Sequence, residues 1–186
     1  MLSRMFFVCL SLSLYGAGCS LSCRWLDGKF KEHSDRYWDL LDAMANNSTN
    51  TTDASAVEDT VGFPNELYSQ AFEAATEDKL AFTVQILEEV AALFEEDHSL
   101  TSWEQRTAED FVNVVTKQAG GLRSCIGSHG HKNKKLHRYF TRLSRHLLKK
   151  MGHSAAAWEM IRKEIQDHLS GVYQLISPLL STNRTL

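Results

Sequence analysis

The feature that most constrains the fold is an apolar stripe near the C-terminus of this 186-residue chain. Its members recur every three or four residues, which is the spacing of one face of an α-helix. They are Trp158, Ile161, Ile165, Leu169, Val172 and Ile176. A face of this kind has to be buried, so it predicts a helix packed against other helices. Ser154 stands where it can cap the start of this helix.

Similar patterns recur along the rest of the chain and predict an all-α fold. Amphipathic stretches predict helices over about 24–45, 77–96, 101–122 and 132–151, with a short helical piece over 66–75. The third stretch opens with the Ser/Thr-x-x-Glu spacing of a capping box, Thr101 to Glu104. We therefore predict a bundle of about five helices.

The first connection is unusually long. Residues 46–61 are rich in Asn, Ser, Thr and Asp, which indicates a solvated loop. In a helical bundle, a long crossover connection allows two successive core helices to run parallel. We expect such a crossover between the first helix and the next core helix.

Residues 1–22 have the pattern of a secretory signal peptide. Arg4 precedes an apolar run over residues 5–15, and small residues follow. The run is too short to cross a bilayer, which takes about 20 residues. We expect cleavage between residues 18 and 22, leaving residues 23–186 as a single exported domain without membrane insertion.

Cysteines and sequons agree with export. Cys23 and Cys125 stay in the mature chain wherever cleavage falls, whereas the fate of Cys19 depends on the cleavage site. Two cysteines in an oxidising compartment predict one disulfide. Four sequons predict glycosylation: Asn46, Asn47, Asn50 and Asn183. The first two overlap, so we expect only one of them to be occupied.

Catalytic and metal-binding motifs are missing from the sequence. His129, His131 and His137 cluster near a glycine-containing loop, but no cysteine or carboxylate joins them at a metal-motif spacing. There is no glycine-rich phosphate loop, nucleophile elbow or His-Glu metalloprotease pattern. We expect no metal, no cofactor and no enzyme activity.

The order of residue types in the last predicted helix resembles the last helix of type I interferons. Small residues precede Trp158-Glu, then come two apolar residues, Arg162, any residue and Glu164-Ile165. Other interferon-like positions follow in the same order and approximate spacing: Gly62-Phe-Pro64, Phe72-Glu-Ala, Ile86-Leu, Leu93-Phe94, Trp103, Cys125, Tyr139-Phe and Leu143. The single cysteine pair resembles the two-cysteine (group I) interferons of fishes.

The resemblance implies a helical cytokine bundle and a secreted antiviral cytokine. Such a ligand would be monomeric or weakly associating and would bridge two different class II cytokine receptor chains, which start kinase signalling and antiviral gene expression. The resemblance also implies receptor contacts at Arg162, Lys163 and Gln166, and we expect charge reversal at Arg162 to leave thermal stability nearly unchanged. The alternative for Arg162 is an ion pair with Glu159, or a contact with Gln166, on a solvated face.

Basic residues concentrate in a segment that contains no acidic residue. They are Lys132, Lys134, Lys135, Arg138, Arg142, Arg145, Lys149 and Lys150. One interpretation is a solvated or receptor-facing helix that balances the acidic segment 88–97. The other is a secreted cationic-helix protein with antimicrobial or glycosaminoglycan-binding activity. The net charge of −3 argues against a general polyanion binder, so we expect no nucleic-acid partner.

Overall fold

The computed structural model describes residues 23–46, 61–126 and 132–182, and these segments contain helices and no strand. The helices are α1 (Arg24–Asn46), α2 (Asn65–Glu73), α3 (Thr76–Leu93), α4 (Gln105–Arg123), α5 (Lys134–Arg142, continued as a π-helix over Leu143–Lys149) and α6 (Ala155–Thr182). The all-α prediction is confirmed. Within these segments, no helix has both the length and the apolar character needed to cross a membrane. The predicted signal peptide lies outside them.

α1 and α4 run antiparallel and are joined covalently. The disulfide connects Cys23, just before α1, to Cys125, just after α4. Further along the same pair, the side-chain amide of Gln118 donates to the Ser34 hydroxyl at 3.1 Å. The paired positions move in opposite directions along the two helices, which defines their orientation.

Helices α1 and α3 run in the same direction. Arg123 at the end of α4 pairs with Glu88 within α3, and Phe111 near the start of α4 contacts Phe94 just after α3, with ring centroids 4.8 Å apart. α4 is therefore antiparallel to α3 as well as to α1. It follows that α1 and α3 run parallel, and the predicted crossover is confirmed.

α3 and α5 also run parallel, along a polar seam. Gln85 donates to the Asn133 carbonyl at 3.0 Å, at the entrance to α5. About three helical turns further along, Ser144 donates to the Glu96 carboxylate at 2.8 Å. In each pair the two residues are 48 positions apart in sequence, so the two helices run in the same direction. We call this line of contacts the α3–α5 seam.

Gly121 permits the close approach of α1 and α4 near the disulfide. A Cβ atom added there would lie 1.9 Å from the Trp25 indole, a distance that no pair of carbon atoms tolerates. The pair Gly120-Gly121 predicts a weakened helix end, yet α4 continues to Arg123. The packing of the tryptophan compensates for the conformational freedom that glycine loses in a helix.

The second half of the predicted fifth helix is a π-helix. Consecutive residues of an α-helix point about 100° apart. A π-helix bonds i to i+5 and is wider, which reduces that angle. Both leucines are buried in the structure. Gly152 and His153 then reverse the chain with positive φ values of 60° and 54°.

The capping box predicted for α4 is wrong. The Thr101 hydroxyl donates instead to the His98 carbonyl at 2.8 Å and closes a turn in the preceding segment. α4 begins four residues later, at Gln105, after Glu104, whose side chain makes no cap hydrogen bond. The cap predicted for α6 is confirmed, because the Ser154 hydroxyl accepts from the backbone N–H of Ala157 at 3.3 Å.

Candidate functional site

The final helix, α6, carries the predicted core stripe on one side. Every member of the stripe is fully buried: Trp158, Ile161, Ile165, Leu169, Val172 and Ile176. Burying a large apolar side chain stabilises the fold by about 1.5–3 kcal/mol. Six such residues in one row fix the rotation of α6 about its axis, so the residues on its other side hold fixed positions at the surface.

The structure separates the three predicted receptor-contacting residues. Lys163 is exposed and Gln166 is half-buried, and their spacing of three residues makes them neighbours on the outward side of α6. The Arg162 side chain is only 8% exposed. The structure thus brings Lys163 and Gln166 together at the surface and places Arg162 beneath it. Their role in receptor binding stays a prediction.

Arg162 belongs to a polar group with Glu159 and Trp103, which we call the tryptophan cluster. Arg162 Nε donates to Glu159 Oε2 at 2.9 Å, and Trp103 Nε1 donates to Glu159 Oε1 at 2.9 Å. Both carboxylate oxygens are therefore engaged. This is the Arg162–Glu159 pair that the sequence offered as an alternative, although it is buried and not solvated. A reversed charge at Arg162 would face Glu159, so thermal stability should fall, contrary to our expectation from sequence.

Trp158 lies directly below this cluster. Its Nε1 donates to the backbone carbonyl of Asp97 at 2.9 Å, and its ring centroid lies 5.5 Å from that of Phe94 and 5.7 Å from that of Trp103. The segment between α3 and α4 is therefore anchored to α6 by tilted and edge-to-face ring contacts and by the hydrogen bond from Trp158. The interpretation of Trp158 as a core residue is confirmed.

The family of this chain follows from comparison with known proteins. A family model described as the interferon alpha/beta domain matches residues 26–179. The chain belongs to the interferon alpha/beta family. This interferon is 33% identical over 147 residues to Interferon a3 of Oncorhynchus mykiss, a match that covers 79% of this chain and 81% of that protein. It also resembles the solved structure of zebrafish interferon 1, with a TM-score of 0.70 and 28% identity over 84% of this chain and 99% of that chain.

The family assignment settles the general class of activity. Interferons are cytokines, so this chain is a cytokine and not an enzyme. The resemblance to type I interferons, including those of fishes, is confirmed. Because cytokines act by being bound, the functional site of this interferon is a surface and not a cavity.

The predicted disulfide of this interferon is present between Cys23 and Cys125. Asn46 is the last residue of α1 and is exposed, as a glycosylation acceptor must be. The other sequons lie outside the described residues: Asn47, Asn50 and Asn183. Glycosylation stays a prediction at all four positions.

Sequence reasoning missed a second polar group on α6, formed by His168, Tyr68, Glu164 and Tyr139, which we call the histidine cluster. The Tyr68 hydroxyl lies 2.8 Å from His168 Nδ1 and donates to the His168 carbonyl at 3.2 Å. The Tyr139 hydroxyl donates to Glu164. A signal was available, because His168 stands three residues after Ile165 and therefore on the core side of the helix.

His168 is fully buried and incompletely paired. Its ring lies between the rings of Phe63 and Phe140, with centroid distances of 4.7 and 4.9 Å. Its Nε2 atom has no hydrogen-bond partner among the described residues, and Glu164 Oε1 is 4.0 Å away. Burial lowers the pKa of His168 to about 3. Burial also raises the pKa of Glu164, and the charge of Asp167 raises it further, although the hydrogen bond from Tyr139 opposes both.

The basic segment of this interferon contacts the acidic side of α3 along the α3–α5 seam. His137 Nδ1 lies 2.9 Å from Glu89 Oε1, and Lys149 Nζ lies 3.2 Å from Glu96 Oε1. Burial tends to raise the pKa of Glu96, yet its hydrogen bonds, including the one from Lys149, hold that pKa below its usual value. The expected balance between these segments is therefore present on one side of α5. Of the predicted histidine group, His129 and His131 lie outside the described residues.

Proposed function

We propose that this interferon is secreted and acts as an antiviral cytokine by bridging two different class II cytokine receptor chains. Receptor chains held together outside the cell would bring their cytoplasmic kinases together and start antiviral gene expression. The ligand itself performs no chemistry in this scheme. Membership of the interferon family and the parallel crossover bundle support the proposal.

The observation that carries the proposal is the outward side of α6. Lys163 and Gln166 stand next to each other on a helix whose opposite side is locked into the core. A surface that is already ordered loses little conformational entropy on binding, so more of its contact energy appears as affinity. Arg162 supports this surface from beneath through its pairing with Glu159.

Charge reversal at Lys163 tests this surface. We expect Lys163→Glu to weaken binding to one receptor ectodomain about tenfold or more, because a well-placed charge contributes on the order of 1–2 kcal/mol. Surface plasmon resonance would measure this with ectodomains from the source species. Lys117→Glu is the matched control, since Lys117 is exposed on α4, which packs chiefly against α1 and α3. Equal binding by both variants would contradict the receptor assignment of α6.

Bridging requires two surfaces on one ligand. We expect the mature protein to be a monomer and to form a complex with one copy of each of two receptor chains, measured as a mass by light scattering. A complex that contains only one kind of chain, together with undiminished antiviral gene induction in cells lacking the second chain, would reject the bridging mechanism.

The antimicrobial alternative fits the structure less well. Disruption of a bilayer by a cationic helix needs an exposed apolar side. On α5 the apolar residues Leu136, Phe140 and Leu143 are at most 2% exposed. The helix would have to leave the bundle before it could insert, whereas a contact between its basic side and a sulfated glycosaminoglycan requires no unfolding.

A further inference from the structure

The basic residues of α5 include two groups. One group faces α3, where His137 and Lys149 contact the carboxylates of Glu89 and Glu96. The other group consists of Lys134, Lys135, Arg138, Arg142 and Arg145, all of them exposed, and of these Arg145 also lines the cleft that contains Glu89 and Glu96. We call this second group the outer basic face. Its members recur at helical spacing, so they form one continuous strip on the α5 surface.

The outer basic face has no acidic partner. Among the residues that the structure describes, no carboxylate oxygen lies within 4.0 Å of the charged nitrogens of its five members. The sequence itself contains no acidic residue between 131 and 150. Because the whole chain has a net charge of −3, the positive potential is local to this strip. A partner would be attracted to the strip and not to the molecule at large.

The surroundings of the strip narrow the kind of anion that fits it. Single-stranded nucleic acid is usually held by exposed aromatic rings as well as cations, but Tyr139 and Phe140 are only 1% and 2% exposed. Insertion into a lipid surface would need an exposed apolar side, and that side of α5 is buried. A linear polymer of sulfate groups needs only a row of cations, and arginine forks bind such oxyanions in a bidentate manner.

We propose that the outer basic face of α5 binds a sulfated polysaccharide of the glycosaminoglycan class. From Lys134 to Arg145 the strip extends roughly 17 Å at 1.5 Å per residue, which gives a linear chain several successive contacts. The arginines Arg138, Arg142 and Arg145 hold sulfates, and the lysines contribute charge at one end. This binding is separate from the Lys163–Gln166 surface of α6 and goes beyond the proposed receptor function.

A charge-matched pair of variants tests the proposal. The first carries Lys134→Gln, Arg138→Gln, Arg142→Gln and Arg145→Gln in the full, disulfide-bonded mature protein. The control removes four exposed cations elsewhere, by Arg24→Gln, Arg36→Gln, Arg106→Gln and Lys117→Gln, so both variants have the same net charge. Binding to a size-defined heparin fragment is measured by calorimetry at physiological salt, and circular dichroism melts verify folding.

The expected result is selective. Wild type and the control variant bind heparin, and the outer-face variant binds it at least about tenfold more weakly, since four surface ion contacts together contribute well over 1 kcal/mol. Desulfated heparin should not bind any of the three. Receptor-ectodomain binding is measured on the same samples, and a loss there with intact heparin binding would make the strip a receptor contact and overturn the proposal.

Three further outcomes would also overturn it. One is an absence of heparin binding by the wild type at physiological salt. Another is an equal loss in both four-residue variants, which would show a response to net charge alone. The third is equally tight binding of duplex DNA or of vesicles containing anionic lipid through the same residues, because the strip would then not select polysaccharide.

Discussion

The two polar clusters of α6 show how differently one helix can treat buried polar side chains. In the tryptophan cluster, Glu159 uses both carboxylate oxygens, one for Arg162 and one for Trp103. In the histidine cluster, His168 is buried more deeply, but its Nε2 atom finds no partner among the described residues. In the first cluster Arg162 and Glu159 pair with each other, whereas in the second cluster burial favours the neutral form of His168.

This difference predicts which conditions each cluster tolerates. Removing one partner of a buried ion pair is strongly destabilising, because it leaves the other charge uncompensated. A neutral buried histidine resists protonation, and the fold therefore loses stability when the solvent becomes acidic. We expect the tryptophan cluster to respond mainly to substitution and the histidine cluster mainly to pH.

The largest effect should come from removing the aromatic support of the tryptophan cluster. We expect Trp158→Ala to lower the free energy of unfolding by about 3–5 kcal/mol, because it leaves a cavity beneath Arg162 and removes the hydrogen bond to Asp97. Chemical denaturation would measure it. Leu100→Ala is the control, since Leu100 is 61% exposed and should change stability by less than about 0.5 kcal/mol. Similar losses in both variants would show that the cluster needs no such support.

The next effect concerns acid and His168. Its folded pKa of about 3 lies below its unfolded value of 6.5, so the unfolded chain takes up the proton first. The stability should fall as the pH drops from 6.5 towards 3, by about 2 kcal/mol at pH 5 and about 3 kcal/mol at pH 4. The raised pKa of Glu164 acts in the opposite direction, because its proton uptake favours the folded state as the pH falls.

Replacement of the histidine isolates its share of that pH dependence. We expect His168→Gln to flatten the stability profile between pH 6.5 and 4, and Glu164→Gln to steepen it. The control is His146→Gln, because His146 is exposed and its replacement should leave the profile unchanged. Denaturation midpoints at half-unit pH steps provide the measurement. Parallel profiles for wild type and His168→Gln would remove the contrast between the clusters.

The smallest effect should come from Arg162. We expect Arg162→Ala to cost about 1–3 kcal/mol, since it leaves the half-buried Glu159 carboxylate without its charged partner. A double-mutant cycle with Glu159→Gln should give a coupling free energy of at least about 0.5 kcal/mol. Additive effects in that cycle would mean that Arg162 and Glu159 do not interact, despite their 2.9 Å contact.

The helices and the α6 stripe could be predicted from the spacing of apolar residues, and the crossover from the length of the first connection. Two details needed three-dimensional contacts. Residues Leu143–Lys149 form a π-helix in which Leu147 and Leu148 are both buried, and no 3.6-residue pattern indicates that widening. Gly121 looks like a weak helix end until Trp25 is placed against it.

The candidate site was harder to predict than the fold. Helical geometry alone puts Lys163 and Gln166 on the outward side of α6 and Arg162 at the border of the core stripe. The partner of Arg162, Glu159, also accepts a hydrogen bond from Trp103, which is 56 residues from Glu159 in sequence. The histidine cluster likewise depends on Tyr68, 100 residues away. Spacing within one helix does not reveal partners at such separations.

The bond between Cys23 and Cys125 closes a ring of chain that contains α1 to α4. A protease that cuts once inside this ring, for example in residues 47–60, would sever the backbone without releasing either piece. The nicked protein would keep its mass and would separate into two bands only after treatment with a thiol. Cleavage of the chain and loss of the ligand are therefore two distinct events for this cytokine.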